Sequence, residues 1–209
     1  MALAPLPAPD NRVYLGTGGS GKSTLARHHA GAFPRVIICD PNGEDAAAAG
    51  AVTTSDPAEL RDHLIMATGS RRRLPFRLCW RFDKMGYEDG FEFVNRCAQA
   101  AGDLVIVWDE LDMVNRRPSL TGTAFALWNA GRHHRIRIFA CARRPHRVPR
   151  DTTGNLSRAC VFATMEPRDL AFYEDFMGRD AVAAVRSLAH RHALDWTPRG
   201  WAVKKSLFP

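Results

Sequence analysis

The sequence predicts an α/β fold, a mainly parallel sheet with helices on both faces. Three observations carry this expectation. Short, continuous apolar runs of the kind found in strands buried on both faces alternate with helical periods along the 209 residues. A glycine-rich turn at residues 16–23 joins the first of these runs directly to the first helical period. No internal repeat or long linker breaks the alternation, and a chain of this length buries a full core without staples. The expected organisation is a short N-terminal arm, residues 1–11, followed by one domain over 12–209. Within that domain, 166–209 is expected to be a helical extension with a terminal strand or tail.

The elements follow in order. Arg12-Val-Tyr-Leu15 is a strand that runs into the glycines, and residues 22–30 form a helix closed near Gly31. Val36-Ile-Ile-Cys39 has the composition of a buried parallel strand and ends at Asp40-Pro41. Asp56 and Pro57 supply the N-cap and first position of a helix that reaches about Thr68. After a basic turn, Arg71-Arg-Arg73, a strand spans 76–82 and a helix 88–101. Residues 104–108, Leu-Val-Ile-Val-Trp, form the most apolar strand and end at Asp109-Glu110. A looser, turn-rich segment follows, then a helix over 121–134 and strands at 136–141 and 159–163. A pair of helices and a short terminal stretch with Trp196 and Trp201 complete the chain.

Composition excludes several classes. No stretch approaches the roughly 18 to 20 apolar residues of a membrane span. Residues 1–10 are rich in Pro and Ala but lack the basic start and apolar run of a signal peptide. A soluble intracellular protein without a transmembrane segment is expected. Cys39, Cys79, Cys97, Cys141 and Cys160 include no CxxC pair and read as small apolar core residues. The doublets His28-His29 and His133-His134 point apart on a helix, and no Cys/His spacing completes a zinc set. The net charge of +7 suits a polyanionic partner, because neutralised phosphates release counterions.

Residues 16–23, Gly-Thr-Gly-Gly-Ser-Gly-Lys-Ser, meet the phosphate-loop (Walker A) pattern G-x-x-x-x-G-K-[ST] in full, between a strand and a helix. Gly16, Gly18, Gly19 and Gly21 let the backbone curl, so that its N–H groups, those of Thr17 and Ser20 among them, face phosphates. The pattern assigns Lys22 to the β- and γ-phosphates, Ser23 to Mg²⁺ and Thr24 to the α-phosphate. The matching (Walker B) acids are Asp109, expected at the end of a neighbouring strand to hold the magnesium shell, and Glu110, expected to polarise the attacking water. A second acid directly after the first points to a hydrolytic motor in place of a kinase. No Asn-Lys-x-Asp motif for guanine occurs in the chain.

Beyond these motifs the chain resembles the viral branch of the FtsK–HerA superfamily, and within it the genome-packaging ATPase of tailless, membrane-containing viruses. Val36-Ile-Ile-Cys-Asp-Pro-Asn-Gly-Glu44 is similar to the superfamily's second-strand signature, which adds Asp40 to the cofactor-binding set. Gly131-Arg-His-His-Arg-Ile136 resembles the segment that places an arginine before the fourth core strand. Ile138-Phe-Ala-Cys-Ala-Arg-Arg-Pro-His-Arg-Val-Pro149 is similar to the strand leading to a Gln-Arg-Pro sensor, with Arg143 standing where the family has Gln or Asn. The resemblance covers about residues 12–165. It implies a RecA-like (ASCE) P-loop NTPase that binds ATP and Mg²⁺ and assembles as a homo-oligomeric ring, usually a hexamer. Arg143 would contact the γ-phosphate or turn away towards DNA or a neighbouring subunit. Arg132, with Arg135 the fallback, would reach a neighbour's nucleotide in trans; on the residues alone, both equally read as solvated arginines at a helix end.

The activity this implies is a genome-packaging motor that moves double-stranded DNA into a preformed capsid, in the host cytoplasm or at the packaging vertex of the virion. Capsid-vertex or membrane proteins are the further partners it implies. The alternatives are a filamentous-phage assembly or zonula-occludens-toxin-like ATPase, a P-loop small-molecule kinase, and a nucleotide-gated signalling module. Arg71-Arg-Arg73 and Arg116-Arg117 are the candidate DNA contacts, with a solvated turn the alternative for each. Arg144, Arg147 and Arg150 form a third basic stretch, open to a nucleotide or subunit-interface role.

Overall fold

In the computed structural model, residues 10–43, 50–69, 73–120 and 122–205 are described. The expected arm at 1–9, Glu44, Arg71, Arg72, Thr121 and the tail 206–209 lie outside them. Nine strands form one sheet: β1 (Arg12–Leu15), β2 (Arg35–Asp40), β3 (Val52–Thr54), β4 (Phe76–Arg81), β5 (Val105–Trp108), β6 (Arg137–Ala142), β7 (Arg158–Phe162), β8 (Ala193–Thr197) and β9 (Gly200–Lys204). Their order across the sheet is β3-β4-β2-β5-β6-β1-β7-β8-β9. The seven from β3 to β7 pair in parallel, and β8 and β9 close one edge as an antiparallel hairpin in which Trp196 faces Trp201.

The helices are α1 (Lys22–Ala30), α2 (Pro57–Thr68), α3 (Tyr87–Ala101), α4 (Leu111–Val114), α5 (Gly122–Ala130), α6 (Asp151–Gly154), α7 (Pro167–Met177) and α8 (Arg179–Arg186). Strand residues alternate between two cores, as period-2 side chains require. Tyr14, Val36, Ile38, Val105, Val107 and Phe139 pack with Leu25, Ala26 and Ala30 of α1. Their neighbours Val13, Leu15, Ile37, Cys39, Ile106 and Trp108 pack with residues of α2, α3, α5, α7 and α8. Helices therefore cover both faces, unevenly. Among the described residues α1 is the only helix contributing to the first core, and it lies across β1, β5 and β6.

Three expectations need correction. The strand bearing Asp109-Glu110 is not hydrogen-bonded to the strand before the glycine turn. β6 lies between them, pairing in parallel with β1 on one side and β5 on the other. This interposed strand is the arrangement of the ASCE class, and it delivers Arg143, just past the end of β6, between the glycine turn and the two acids. The helix expected over 121–134 ends at Ala130 and tightens into a 3₁₀ turn at Gly131–His134. Glycine weakens the helix there, and Arg135 in the left-handed region (φ 57°) turns the chain into β6. The segment after Glu110 is partly helical, as α4, and the terminal stretch is a hairpin. β3 was missed, because three residues, two of them exposed, carry too little apolar signal.

β5 is held from behind. Asn95 on α3, fully buried, accepts a hydrogen bond from Trp108 Nε1 (3.0 Å) and donates one to Phe91 O (2.8 Å). Trp108 also stacks on Trp128 of α5, with ring centroids 5.8 Å apart, and meets the edge of Phe91 at 5.0 Å. Asn95→Ala is expected to cost about 1–3 kcal/mol in denaturant unfolding, because it orphans a buried indole N–H. Combined with Trp108→Phe, which removes that donor, the loss should be smaller than the sum of the two single losses.

Candidate nucleotide site

The glycine turn leaves β1 at Gly16, whose N–H donates to Ala142 O (3.2 Å), so the loop starts as an extension of the β1–β6 ladder. A Cβ at Gly16 would lie 2.7 Å from Cβ of Phe162, so the loop can rest on β7 only with glycine there. Gly19 (φ 74°) and Gly21 (φ 97°) take left-handed conformations that side chains resist, and Gly21 is the N-cap of α1. No side chain caps α1, and its own first turn carries no acid, so its N–H groups and positive end face the pocket. Gly18, Gly19, Gly21, Lys22, Ser23 and Thr24 line a cavity of about 170 Å³. Gly16, Thr17 and Ser20 of the same set do not line it. Thr17 is exposed, and Ser20 Oγ is buried beneath the loop with no hydrogen-bond partner.

The two acids enter this cavity from β5. Ser23 Oγ donates to Asp109 Oδ1 at 2.8 Å, although the two residues sit on elements one strand apart. Glu110 follows in the left-handed region (φ 53°, ψ 51°), a conformation that costs a non-glycine residue about 1–2 kcal/mol. That turn brings Glu110 Oε1 to 3.7 Å from Lys22 Nζ and to 2.7 Å from Arg143 Nε, which donates to it. Lys22, Asp109 and Glu110 are all buried. Burial raises the pKa of Asp109, opposed by the hydrogen bond from Ser23, and burial raises that of Glu110, opposed by Lys22 and Arg143. Asp40, the end residue of β2, also lines the cavity and accepts from the backbone N–H groups of Asn42 (3.2 Å) and Gly43 (2.8 Å).

Three residues that the sequence analysis did not single out belong to the site. Arg27 and Asn42 line the cavity. Arg27 stands four residues after Ser23 on α1, so helical spacing alone places it on the same face. Asp112 accepts from the backbone N–H groups of Arg143 (3.2 Å) and Arg144 (3.1 Å), holding the turn after β6 against α4. Its signal is an acid two residues past Glu110, which becomes legible only once β6 lies beside β5.

Arg132 and Arg135 are not brought together with this site. They are exposed in and after the 3₁₀ turn, next to the starts of β5 and β6, while the cavity opens at the strands' other ends. The six residues of β6 span roughly 20 Å at 3.3 Å each. Of the basic turn at 71–73, Arg73 Nη1 donates to Ala101 O and Gly102 O and so caps α3.

A mainly parallel sheet, a glycine loop between β1 and α1, and an acid pair at the end of β5, beyond the interposed β6, define a P-loop NTPase fold of the ASCE type. In particular, the chain is similar in structure to the genome-packaging NTPase B204 from Sulfolobus turreted icosahedral virus 2 in complex with ATP-gammaS, with a TM-score of 0.76 and 18% identity over 94% of this chain and 97% of that chain. It is likewise similar to B204, the DNA-packaging ATPase from Sulfolobus turreted icosahedral virus (TM-score 0.71, 21% identity, 95% and 98% covered). VirB4 of Thermoanaerobacter pseudethanolicus shares the fold at a TM-score of 0.59 and 12% identity, over 92% and 88%. At these identities the likeness is one of fold, and the fold is that of P-loop ATPases. No family model and no curated protein matches the chain.

Because burial raises the Asp109 pKa, ionising this carboxyl at neutral pH costs the folded state stability that it has when protonated. That cost is absent below the ordinary carboxylate range and complete above the raised pKa. Asp109→Asn is therefore expected to raise the melting temperature of the nucleotide-free protein at neutral pH, by about 2–4 °C for each kcal/mol relieved. The gain should shrink as the pH falls towards about 4.

Proposed function

We propose that this chain is a magnesium-dependent ATPase that works in a homo-oligomeric ring to drive double-stranded DNA into a preformed capsid. The observation that carries the ATPase reading is the meeting of Lys22, Ser23, Asp109, Glu110 and Arg143 at one edge of the sheet. ATP is the substrate, and its phosphates fit the uncapped start of α1, with Lys22 beside the β- and γ-phosphates. Ser23 and Asp109 suit Mg²⁺, because their hydrogen bond already sets two hard oxygens side by side. The bound ion would neutralise charge on the phosphate oxygens.

Glu110 is the general base. Burial raises its pKa, which moves a carboxylate towards the range useful for taking a proton from water. Its carboxylate is engaged by Arg143 and faces Lys22, so a γ-phosphate that attracts both cations leaves Glu110 free to orient the attacking water. Arg143 then acts as the sensor in place of Gln or Asn. Two features support a ring. The cavity of about 170 Å³ encloses phosphates and leaves the sugar and base outside it, whereas sites that enclose whole ligands run to about 300–1,000 Å³. Arg132, exposed at the far end of the sheet from this cavity, is out of reach of its own subunit's site, which is compatible with a role at a neighbour's nucleotide. Packaging itself is supported by the fold shared with the two virus proteins. On this reading the chain works in the host cytoplasm or at the virion's packaging vertex, with capsid or membrane proteins as further partners. No helix among the described residues is long and apolar enough to cross a membrane.

ATP hydrolysis measured with and without duplex DNA tests the reading. Glu110→Gln is expected to lower kcat by about 10²–10⁴-fold while nucleotide binding persists. Arg132→Ala should lower it by about 10³–10⁵-fold, and mixing the two inactive variants should restore turnover, because each supplies what the other lacks. Full activity in Arg132→Ala would remove the trans arginine, and inactivity of the wild type in Mg²⁺ would sink the ATPase reading. In wild type, turnover should fall as the pH drops through the raised pKa of Glu110, because only its ionised form accepts the proton; the residual rate of Glu110→Gln should lack that fall.

A further inference from the structure

Two basic stretches that lie apart in the sequence, Arg116-Arg117 and Arg143 to Arg150, form the walls of one cleft of about 890 Å³. Six arginines line it, Arg116, Arg117, Arg143, Arg144, Arg147 and Arg150, against two carboxylates, Glu110 and Asp112. Arg117 pairs with Glu88, Arg150 with Asp175 and Arg143 with Glu110. Arg116, Arg144 and Arg147 are exposed and make no ion pair among the described residues.

The walls are built, not merely adjacent. Asp151 accepts from the backbone N–H of Leu120 (2.9 Å), tying the end of the 116–120 segment to α6. His146 Nδ1 lies 2.7 Å from Oδ1 of the buried Asp169, which anchors the 3₁₀ turn at Pro145–Arg147 to α7. Asp112 fixes the backbone of Arg143 and Arg144. The cleft adjoins the nucleotide cavity, and Glu110 and Arg143 line both.

We propose that this cleft holds the phosphate backbone of double-stranded DNA and that Arg143 couples it to the nucleotide site. The inference rests on the packaging reading and says where the duplex lies on the subunit. The lining favours a polyanion, because six arginines face only two carboxylates across the cleft. Arg116, Arg144 and Arg147, exposed and without an ion pair among the described residues, suit contacts to phosphates, which fix a duplex without reading its sequence, as a packaging motor requires. A DNA phosphate near Arg143 competes with Glu110 for one guanidinium, as the γ-phosphate does from the other side. Binding at either site therefore alters the other, and by the same factor.

The test uses the whole chain and a short fluorescent DNA duplex of mixed sequence, with anisotropy measured over a salt series. In the triple variant Arg116→Ala, Arg144→Ala, Arg147→Ala, the slope of log K against log salt is expected to flatten by about 0.9 for each phosphate contact removed, with affinity down by at least about tenfold at low salt. The variant Arg186→Ala, Arg199→Ala, which removes exposed arginines outside the cleft, should bind the duplex as wild type does. In wild type, ATP-gammaS should change duplex affinity, and Arg143→Ala should abolish that change.

A folded triple variant that binds the duplex like wild type overturns the inference and leaves the packaging reading standing. A wild-type chain that binds no duplex at low salt removes both. Loss of self-association, or of ATP-gammaS affinity, in place of duplex affinity overturns the inference and assigns the cleft to a subunit contact or to the nucleotide. A nucleotide effect that persists in Arg143→Ala removes the coupling.

Discussion

Ionised groups taken out of water cost several kcal/mol each unless they find partners, and this chain buries Lys22, Asp109 and Glu110 together at one edge of its sheet. Each arrives on a different structural device. Lys22 is the first residue of a helix, Asp109 follows an apolar strand, and Glu110 is forced into the left-handed region beyond it. The contacts that offset their burial, Ser23 with Asp109 and Arg143 and Lys22 with Glu110, cross from one element to another. Removing these partners would leave buried charges uncompensated, so the relative positions of α1, β5 and β6 are tightly constrained.

The rest of the fold serves that constraint. β6 separates the glycine loop from the acids by one strand, and the same strand carries Arg143 into the gap. α1 lies across β1, β5 and β6, so the helix whose positive end faces the cavity also clamps the three strands that form the site. On the opposite face, Asn95, Phe91 and Trp128 hold Trp108, the residue directly before Asp109. The packing that keeps β5 in place thus continues into the chemistry at its end. Past that end, α4 and the turn after β6 are joined through Asp112, which makes the basic cleft and the nucleotide cavity two sides of one wall.

Local order was largely legible in the residues. β1 and α1 have the expected bounds, and Asp56 caps α2 by accepting from Ala58 N (2.8 Å), as its place before Pro57 implies. These features depend on neighbours a few residues away, where periodicity, caps and turn glycines act directly. β3, the split of α5 at Gly131 and the terminal hairpin were less legible, because short or exposed elements owe their form to what they pair with. Asp112 was missed for the same reason: its partners are backbone groups of a strand end more than two dozen residues away.

By itself, then, the sequence determined the alternation of strands and helices and the residues of the glycine loop and acid pair. Each is written in a contiguous stretch whose spacing suits one local geometry. Only the tertiary structure decided that β6 stands between the two halves of the site and that Arg143 grips Glu110. It alone put Arg132 at the far end of the sheet and joined two separate arginine stretches in one cleft. Strand order depends on burying both faces of the sheet at once, a condition the chain meets as a whole and no segment of it encodes.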